Sequence, residues 1–239
     1  MGMAGPDIKI QKLGDQILRI IVTRIVNGEL APGDSAPSEF EICGEFGVSK
    51  TVAREMMGTL VNKRLVLVRQ GRKPEVRPAA EWDVFDPLIL ELQQDERVVA
   101  QIVSQMQDVR TILEPEIAAR AAADITDEQL AQVRAAYERM LALAGSPDRF
   151  LADVEFHVAL AAATDNRILT HIMESMRDLM RVSVRQRAGL DTRVFESGGR
   201  DVHKEILEAL EARDPDAARD AMRAHMLLAK RARADRSTR

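Results

Sequence analysis

Four residues of metal-binding types stand in the C-terminal half of the chain. Asp153 and His157 are four positions apart in a segment with helical periodicity, so their side chains share one helix face. His203 and His225 lie in two further predicted helices. One carboxylate and three imidazoles suit zinc, nickel, or manganese and iron with added oxygen ligands. An Asp-x3-His pair alone is more typical of a helix surface, and the residues by themselves leave both interpretations open.

A second set of residues has spacing typical of DNA binding. Ser38–Phe46 and Ser49–Lys63 are short amphipathic segments joined by Gly47-Val48, which predicts two helices separated by a tight turn. A recognition helix must present polar side chains from its first turns to base edges and phosphates. The residues that would do so here are Ser49, Lys50, Thr51 and Arg54.

A basic hairpin follows these helices. Residues 65–68 and 76–77 read as two short strands, joined by a tip that contains Gly71 and Arg72. Two helices alone are equally typical of a small helical subdomain with a charged, solvated face. With the hairpin added, the pattern favours a winged helix-turn-helix that binds double-stranded DNA.

Composition indicates a folded, mainly helical protein. Hydrophobic residues make up 46% and charged residues 30% of the 239 positions, whereas aromatic residues make up 3%. The single cysteine, Cys43, excludes an internal disulfide. No apolar run has the length of a membrane span, and we find no secretory signal, so we expect a cytoplasmic protein that binds no membrane.

Charge is divided unequally along the chain. The net charge is −4, but residues 1–78 contain 12 Lys and Arg against 9 Asp and Glu. The excess of positive charge therefore coincides with the predicted winged helix, as DNA binding requires.

The chain is predicted to have three parts. Residues 1–78 form the winged helix-turn-helix, 79–96 a linker with Trp82 and a helix from Pro87, and 97–239 an all-α domain. With the linker helix, we expect a bundle of about six to seven helices. The six helices predicted after the linker are Arg97–Ala123, Asp127–Ala142, Asp148–Ala163, Arg167–Gly189, Phe195–Ala212 and Asp216–Arg233.

The N-terminal motifs resemble the GntR family of bacterial transcriptional regulators. The matching residues are Pro37-Ser38-Glu39, Val48-Ser49-Lys50-Thr51, Arg54-Glu55, Leu65-Val66 and Gly71. The resemblance implies that Lys50 and Arg54 contact DNA and that Gly71 lets the wing backbone approach the minor groove. It also implies a homodimer that reads paired half-sites. Lys50 departs from the usual Arg, which replaces a two-point guanine contact by a one-point contact.

The C-terminal part resembles the effector domain of the fatty-acid-regulator (FCD) branch of that family. The resemblance rests on Arg110–Pro115, the Asp153/His157 pair, Asn166, His203 and His225. It implies one divalent metal ion, zinc first, with nickel or manganese as alternatives. An ion with open positions attracts an oxyanion, so we expect a small organic acid, such as a sugar acid, as the effector. Arg110 would bind its carboxylate if it points into the bundle, and the resemblance places Asn166 and Arg181 near the same cavity. The linker motif 82–87 is similar to that of sugar-acid regulators in this family.

Two functions from different classes fit these residues. The favoured one is a metabolite-responsive regulator, expected to be a repressor and not an enzyme. The alternative is a metal-dependent hydrolase with an accessory nucleic-acid-binding module, with Glu155 or Glu174 as general base. On a helix, however, Glu155 faces away from Asp153 and His157. A purely structural metal ion is a third, non-catalytic possibility.

Overall fold

The computed structural model describes residues 7–146, 148–186 and 202–237. The chain divides into two compact units, Met1–Val99 and Ala100–Arg239. Each unit has a hydrophobic core of its own. The predicted start of one helix at Phe195 lies outside the described residues.

The N-terminal unit contains four α-helices, a two-stranded sheet and a 3-10 turn among its described residues. In chain order these are α1 Asp7–Val26, α2 Glu39–Phe46, α3 Lys50–Asn62, β1 Val66–Leu67, β2 Glu75–Val76, the 3-10 turn Ala79–Glu81 and α4 Pro87–Leu92. The strands are antiparallel, with Val66 opposite Val76 and Leu67 opposite Glu75.

Local side-chain chemistry sets the ends of α2 and α3. Ser38 and Glu41 form a capping box in which each side chain binds the backbone N–H of the other residue. Gly47 ends α2 in the left-handed conformation, with φ of 65°. Ser49 caps α3, since its Oγ accepts a hydrogen bond from the backbone N of Val52 at 3.3 Å.

The core of this unit lies between α1, α2, α3 and the sheet. Ile21 and Val22 of α1, Ile42 of α2 and Leu60 of α3 are fully buried. Their spacing gives each helix one apolar side, so burial of these sides holds α3 with its opposite side in solvent.

Helix α4 packs on α1 of the same unit. Arg19 donates to Glu91 at 2.9 Å, and the Asn27 amide donates to the backbone O of Leu92 at 3.0 Å. Asp86 caps α4 by accepting from the backbone N of Leu88 at 2.9 Å, and Pro87 takes the first helical position. The predicted linker, residues 79–96, therefore lies within the N-terminal unit.

The C-terminal unit is an all-α bundle of six helices in the part of it that the structure describes. They are α5 Glu96–Asp124, which begins in the N-terminal unit, α6 Asp127–Ala142, α7 Arg149–Ala162, α8 Arg167–Gln186, α9 Val202–Glu211 and α10 Pro215–Ser237. Helix α7 is central, since eight of its residues are buried, among them Phe156 and Leu160.

The predicted fold class is confirmed. The chain is mainly helical, with a winged helix-turn-helix first and a helical bundle second. Within the ranges given above, no helix combines the length and apolarity needed to cross a membrane.

Candidate functional site

The buried face of α7 carries the first two residues of a polar cluster. Asp153 and His157 lie one turn apart on α7, His203 is on α9 and His225 on α10. One potential ligand atom from each residue lies within 4.8 Å of those of the other three. All four side chains are buried, with exposed fractions from 1% to 6%. Three helices therefore bring together residues up to 72 positions apart in the sequence.

The contacts within the cluster are short. Nε2 of His203 lies 2.7 Å from Oδ1 of Asp153, and Nε2 of His157 lies 3.9 Å from Oδ2. The rings of His157 and His225 are stacked with centroids 5.0 Å apart. Phe156, which is fully buried, packs edge-on against His157 and His203. The cluster thus has an apolar wall, which strengthens electrostatic interactions inside it.

The pKa shifts of Asp153 and His225 favour the protonation states that bind a metal ion. Burial raises the pKa of Asp153, but the hydrogen bond with His203 and the charges of the three imidazoles bring it well below its usual range. Burial, together with His203 and His157, lowers the pKa of His225 well below its ordinary value. An ionised carboxylate and a neutral imidazole are the forms that bind metal ions.

A buried ion pair on α5 adjoins the cluster. Arg110 donates from Nε to Oε1 of Glu114, and from Nη2 to Oε2 at 3.4 Å. Oε2 of Glu114 lies 2.6 Å from Nδ1 of His157. Burial raises the pKa of Glu114, but Arg110 and His157 outweigh it and lower the pKa to about 2. Glu114 is therefore an anion that adjoins the ring nitrogen of His157 remote from Asp153.

Glu114 was not among the candidate site residues in the sequence. The sequence does contain a pattern that indicates Glu114, because Arg110 and Glu114 have the same i, i+4 spacing as Asp153 and His157. That spacing alone does not distinguish a buried pair from an exposed one. The distinction needs the neighbouring helices, which bury Glu114 to 1% exposure.

The three residues expected to bind an effector lie in different surroundings. Arg110 is buried against Glu114, and its Nη1 approaches Sδ of Met180 at 3.8 Å. Arg181, on α8, is half exposed and donates from Nη2 to Glu155. The effector role of each stays a prediction.

Asn166 caps α8. Its Oδ1 accepts hydrogen bonds from the backbone N of Ile168 and of Leu169, at 3.0 and 3.2 Å. It also lines a surface groove of about 280 Å³. The other lining residues are Leu113, Glu116, Ile117, Arg120 and Leu169, so none of the four clustered polar residues reaches this groove.

The residues predicted to bind DNA lie on an exposed side of the N-terminal unit. Lys50, Thr51 and Arg54 are exposed on the first turns of α3. In the wing, Gly71 has φ of 72°, a conformation that a side chain would strain, and Arg72 is exposed beside it. Their contacts with DNA stay predictions.

Comparison with protein families assigns both units. Residues 13–76 match the family described as bacterial regulatory proteins, gntR family. Residues 105–228, more than half of the chain, match the FCD domain.

Relatives match along most of the chain. The galactonate operon transcriptional repressor of Escherichia coli K12 is 30% identical over 207 residues, which cover 85% of this chain and 90% of that protein. The HTH-type transcriptional regulator LutR of Bacillus subtilis 168 is 29% identical over 211 residues, which cover 84% of this chain and 92% of that protein.

The fold also has a solved counterpart. The Listeria monocytogenes protein Lar superposes with a TM-score of 0.61 over 92% of this chain and 95% of that chain, at 18% identity. At that identity the likeness concerns the fold alone. Together, the winged helix-turn-helix, the helical bundle and the two family matches show that this chain belongs to the GntR family of DNA-binding transcriptional regulators, with an FCD domain after its DNA-binding unit.

Proposed function

We propose that this regulator is a metabolite-responsive repressor that acts as a homodimer. In this proposal the N-terminal unit binds an operator through Ser49, Lys50, Thr51, Arg54, Gly71 and Arg72. The C-terminal unit binds one divalent metal ion and, beside it, a small carboxylate. The observation that carries the proposal is the buried cluster of Asp153, His157, His203 and His225.

The four residues fit a metal ion in donor type and in spacing. Ligand atoms of a tetrahedral ion at about 2.1 Å lie about 3.4 Å apart, and those on opposite sides of an octahedral ion about 4.2 Å apart. The observed limit of 4.8 Å exceeds both, so side-chain movements of about 1 Å would bring all four into one coordination sphere. Both ring nitrogens of His157 are buried and make no hydrogen bond of good geometry among the described residues; Nδ1 lies 2.6 Å from Glu114, whereas Nε2 lies 3.9 Å from Asp153. A buried polar atom without a partner is unfavourable, and a metal ion would satisfy it.

Zinc is the first candidate for this ligand set, with nickel and manganese as alternatives. A bound ion with an open coordination position supplies a Lewis acid that attracts oxyanions. Asp153 would contribute the one anionic ligand. Glu114 would orient His157 from its far nitrogen, as carboxylates that contact a metal-bound imidazole do in metal sites.

A carboxylate effector is recognised by cationic side chains. We propose that Arg110 and Arg181 provide positive charge for it, and that Arg181 exchanges its partner Glu155 for the ligand. A contact from Asn166 belongs to the same proposal. The name of the galactonate operon repressor refers to a sugar acid, which supports this effector class.

Effector binding would alter DNA binding by favouring one arrangement of the dimer. A ligand shifts such an equilibrium only by its difference in affinity for the two arrangements. For a repressor, the favoured arrangement is one in which the two recognition helices no longer match the half-site spacing.

No observation favours the hydrolase alternative. Glu155, one candidate base, accepts from Arg181 and lies 3.7 Å from Arg177, so cations occupy its carboxylate. Glu174 lies 3.9 Å from the exposed His171, which is not a member of the cluster. The relatives reported above are transcriptional regulators, which supports a non-enzymatic role.

The test is DNA binding to the region upstream of the protein's own gene, titrated with sugar acids before and after treatment with a chelator. We expect one acid to release the DNA from the metal-loaded protein and not from the chelated protein. Release that is independent of the chelator would assign the metal ion a purely structural role. Absence of DNA binding at low salt would contradict the proposal as a whole.

A further inference from the structure

An exposed aromatic side chain at the start of α2 has no packing role in the N-terminal unit. Phe40 is 86% exposed, the largest fraction among the large hydrophobic side chains that the structure describes. Removing the apolar area of a phenyl ring from water is favourable in free energy, and an exposed ring does not gain this stabilisation. The ring is therefore available to a binding partner.

The neighbours of Phe40 in the sequence show where this ring lies. Oε1 of Glu39 is 3.8 Å from Nε of Arg54 on α3, and Oε1 of Glu41 is 3.2 Å from Nζ of Lys73 in the wing. The first turn of α2 thus lies between the recognition helix and the wing. These are the two elements that contact DNA in the proposed function.

The backbone around Phe40 is firmly held. The backbone N of Ala36 donates to the O of Pro74 at 2.8 Å, and Ser35 pairs with Glu75 in an antiparallel bridge. The segment that leads into α2 therefore runs along the wing. The capping box of Ser38 and Glu41 then fixes the first turn itself. Binding at Phe40 requires little ordering of the chain, which favours specific contacts.

The charges at this turn favour a base contact over a phosphate contact. The first turn of α2 contains the carboxylates Glu39 and Glu41 and no basic residue, so the turn itself has no positive charge to attract a phosphate. The phenyl ring itself offers no hydrogen bond. In the major groove, the group that an apolar side chain recognises is the C5-methyl group of thymine.

We propose that Phe40 is a specificity-determining residue that packs against a thymine methyl group in the major groove, next to the bases reached by α3. This inference rests on the operator binding proposed above. It adds a base preference at a position that the polar residues of α3 do not read.

The experiment removes the methyl group and the ring separately. Full-length protein selects its preferred duplex from a random-sequence pool, and each thymine of that duplex is then replaced by deoxyuridine, which lacks only the methyl group. Affinities are measured for the wild type, Phe40→Ala and Phe40→Leu. Ile112→Ala is the matched control, because Ile112 is 70% exposed on α5, in a helix predicted to make no DNA contact.

We expect one thymine per half-site at which deoxyuridine weakens wild-type binding about fourfold, the effect of losing one buried methyl contact. Phe40→Ala, which removes the ring from both half-sites, should bind the unmodified duplex about as weakly as the wild type binds a duplex with deoxyuridine in both half-sites, and should not respond to deoxyuridine. Phe40→Leu should retain part of the preference, and Ile112→Ala all of it.

Three results would overturn the inference. Phe40→Ala could bind the unmodified duplex like the wild type. It could also lose the same factor of affinity for the unmodified and the deoxyuridine-containing duplex, which would show that the ring and the methyl group act independently. Light scattering could also show that Phe40→Ala changes the oligomeric state, which would place the ring against another copy of the chain. If the wild type binds no duplex at low salt, operator binding itself fails, a result distinct from these three.

Discussion

At the scale of single residues, two histidines of the helical bundle differ in their surroundings, because one is buried in the polar cluster and the other is at the surface. His203 is buried beside Asp153, whereas His171 on α8 has a side chain that is 81% exposed. Both residues occupy helical segments, and their types are identical. Their surroundings alone distinguish the chemistry available to each.

The first prediction compares these two residues. His203→Ala removes one imidazole of the four-residue cluster, so bound zinc per chain should fall from about one to near zero after dialysis. His171→Ala is the control and should retain the metal. Metal content is measured by mass spectrometry of the purified protein. Equal metal content in the two variants would contradict the proposed site.

A second prediction concerns the ion pair behind His157. Glu114→Gln removes the carboxylate that pairs with the buried Arg110, which should lower the free energy of unfolding by about 3–5 kcal/mol. It should also weaken zinc binding about 10- to 100-fold, because the carboxylate next to Nδ1 of His157 is lost. Chemical denaturation and competition with a chelating dye measure the two effects.

The control replaces both members of that pair. Arg110→Met combined with Glu114→Leu buries no charge, so its stability should return to within about 1 kcal/mol of the wild type. Zinc binding should remain weak, since an apolar side chain cannot orient His157. Recovery of zinc affinity together with stability would show that Glu114 acts on folding alone.

At the scale of elements, helix ends set the geometry of the DNA-binding unit. Gly44 and Gly47 lie three positions apart, and an added Cβ meets no atom within 4 Å at either position. Gly44 lies inside α2, whereas Gly47 ends it with φ of 65°. Backbone conformation is therefore the difference between the two positions.

The third prediction uses this pair. Gly47→Ala should lower the stability of the N-terminal unit by about 1 kcal/mol, because alanine resists the left-handed conformation. Gly44→Ala should raise it by about 0.5–1 kcal/mol, since alanine favours the helix interior. Trp82 is the only tryptophan in the chain and packs on the core of this unit, so its fluorescence in urea follows the change. Effects of the same sign would contradict the assigned conformations.

At the scale of the whole molecule, the net charge differs between the two parts of the chain. Residues 1–78 contain 12 basic and 9 acidic residues, and the remainder contains 22 and 29. The excess of positive charge is thus confined to residues 1–78, which contain the winged helix-turn-helix, although the chain as a whole is negative. Long-range attraction of DNA would act on that segment.

The fourth prediction tests this division through salt dependence. Arg54→Ala should reduce the slope of log affinity against log salt concentration by about one, because one fewer counterion is released. Arg139→Ala removes the same charge from the exposed side of α6 and should leave the slope unchanged. Filter binding across a salt series measures both slopes. Equal slopes for the two variants would place Arg54 outside the interface.

Much of the architecture was predictable because its signals are local. The cap at Ser49, the turn at Gly47 and the apolar periodicity of α1 and α3 act over a few residues, so the sequence alone determined the winged helix-turn-helix. The i, i+4 spacing likewise determined that Asp153 and His157 share a helix face. The predicted role of Arg110 rested on the affinity of a guanidinium group for carboxylates, without knowledge of its buried partner Glu114.

Only the tertiary structure decided what depends on several helices at once. Burial of His203 and His225 beside Asp153 requires α7, α9 and α10 to pack together, and no local sequence pattern predicts that packing. The same holds for the contact of Glu114 with His157, between α5 and α7, and for the position of Phe40 between α3 and the wing. Local propensity determines the helices, whereas long-range packing determines which side chains share a low-dielectric site and which remain in solvent.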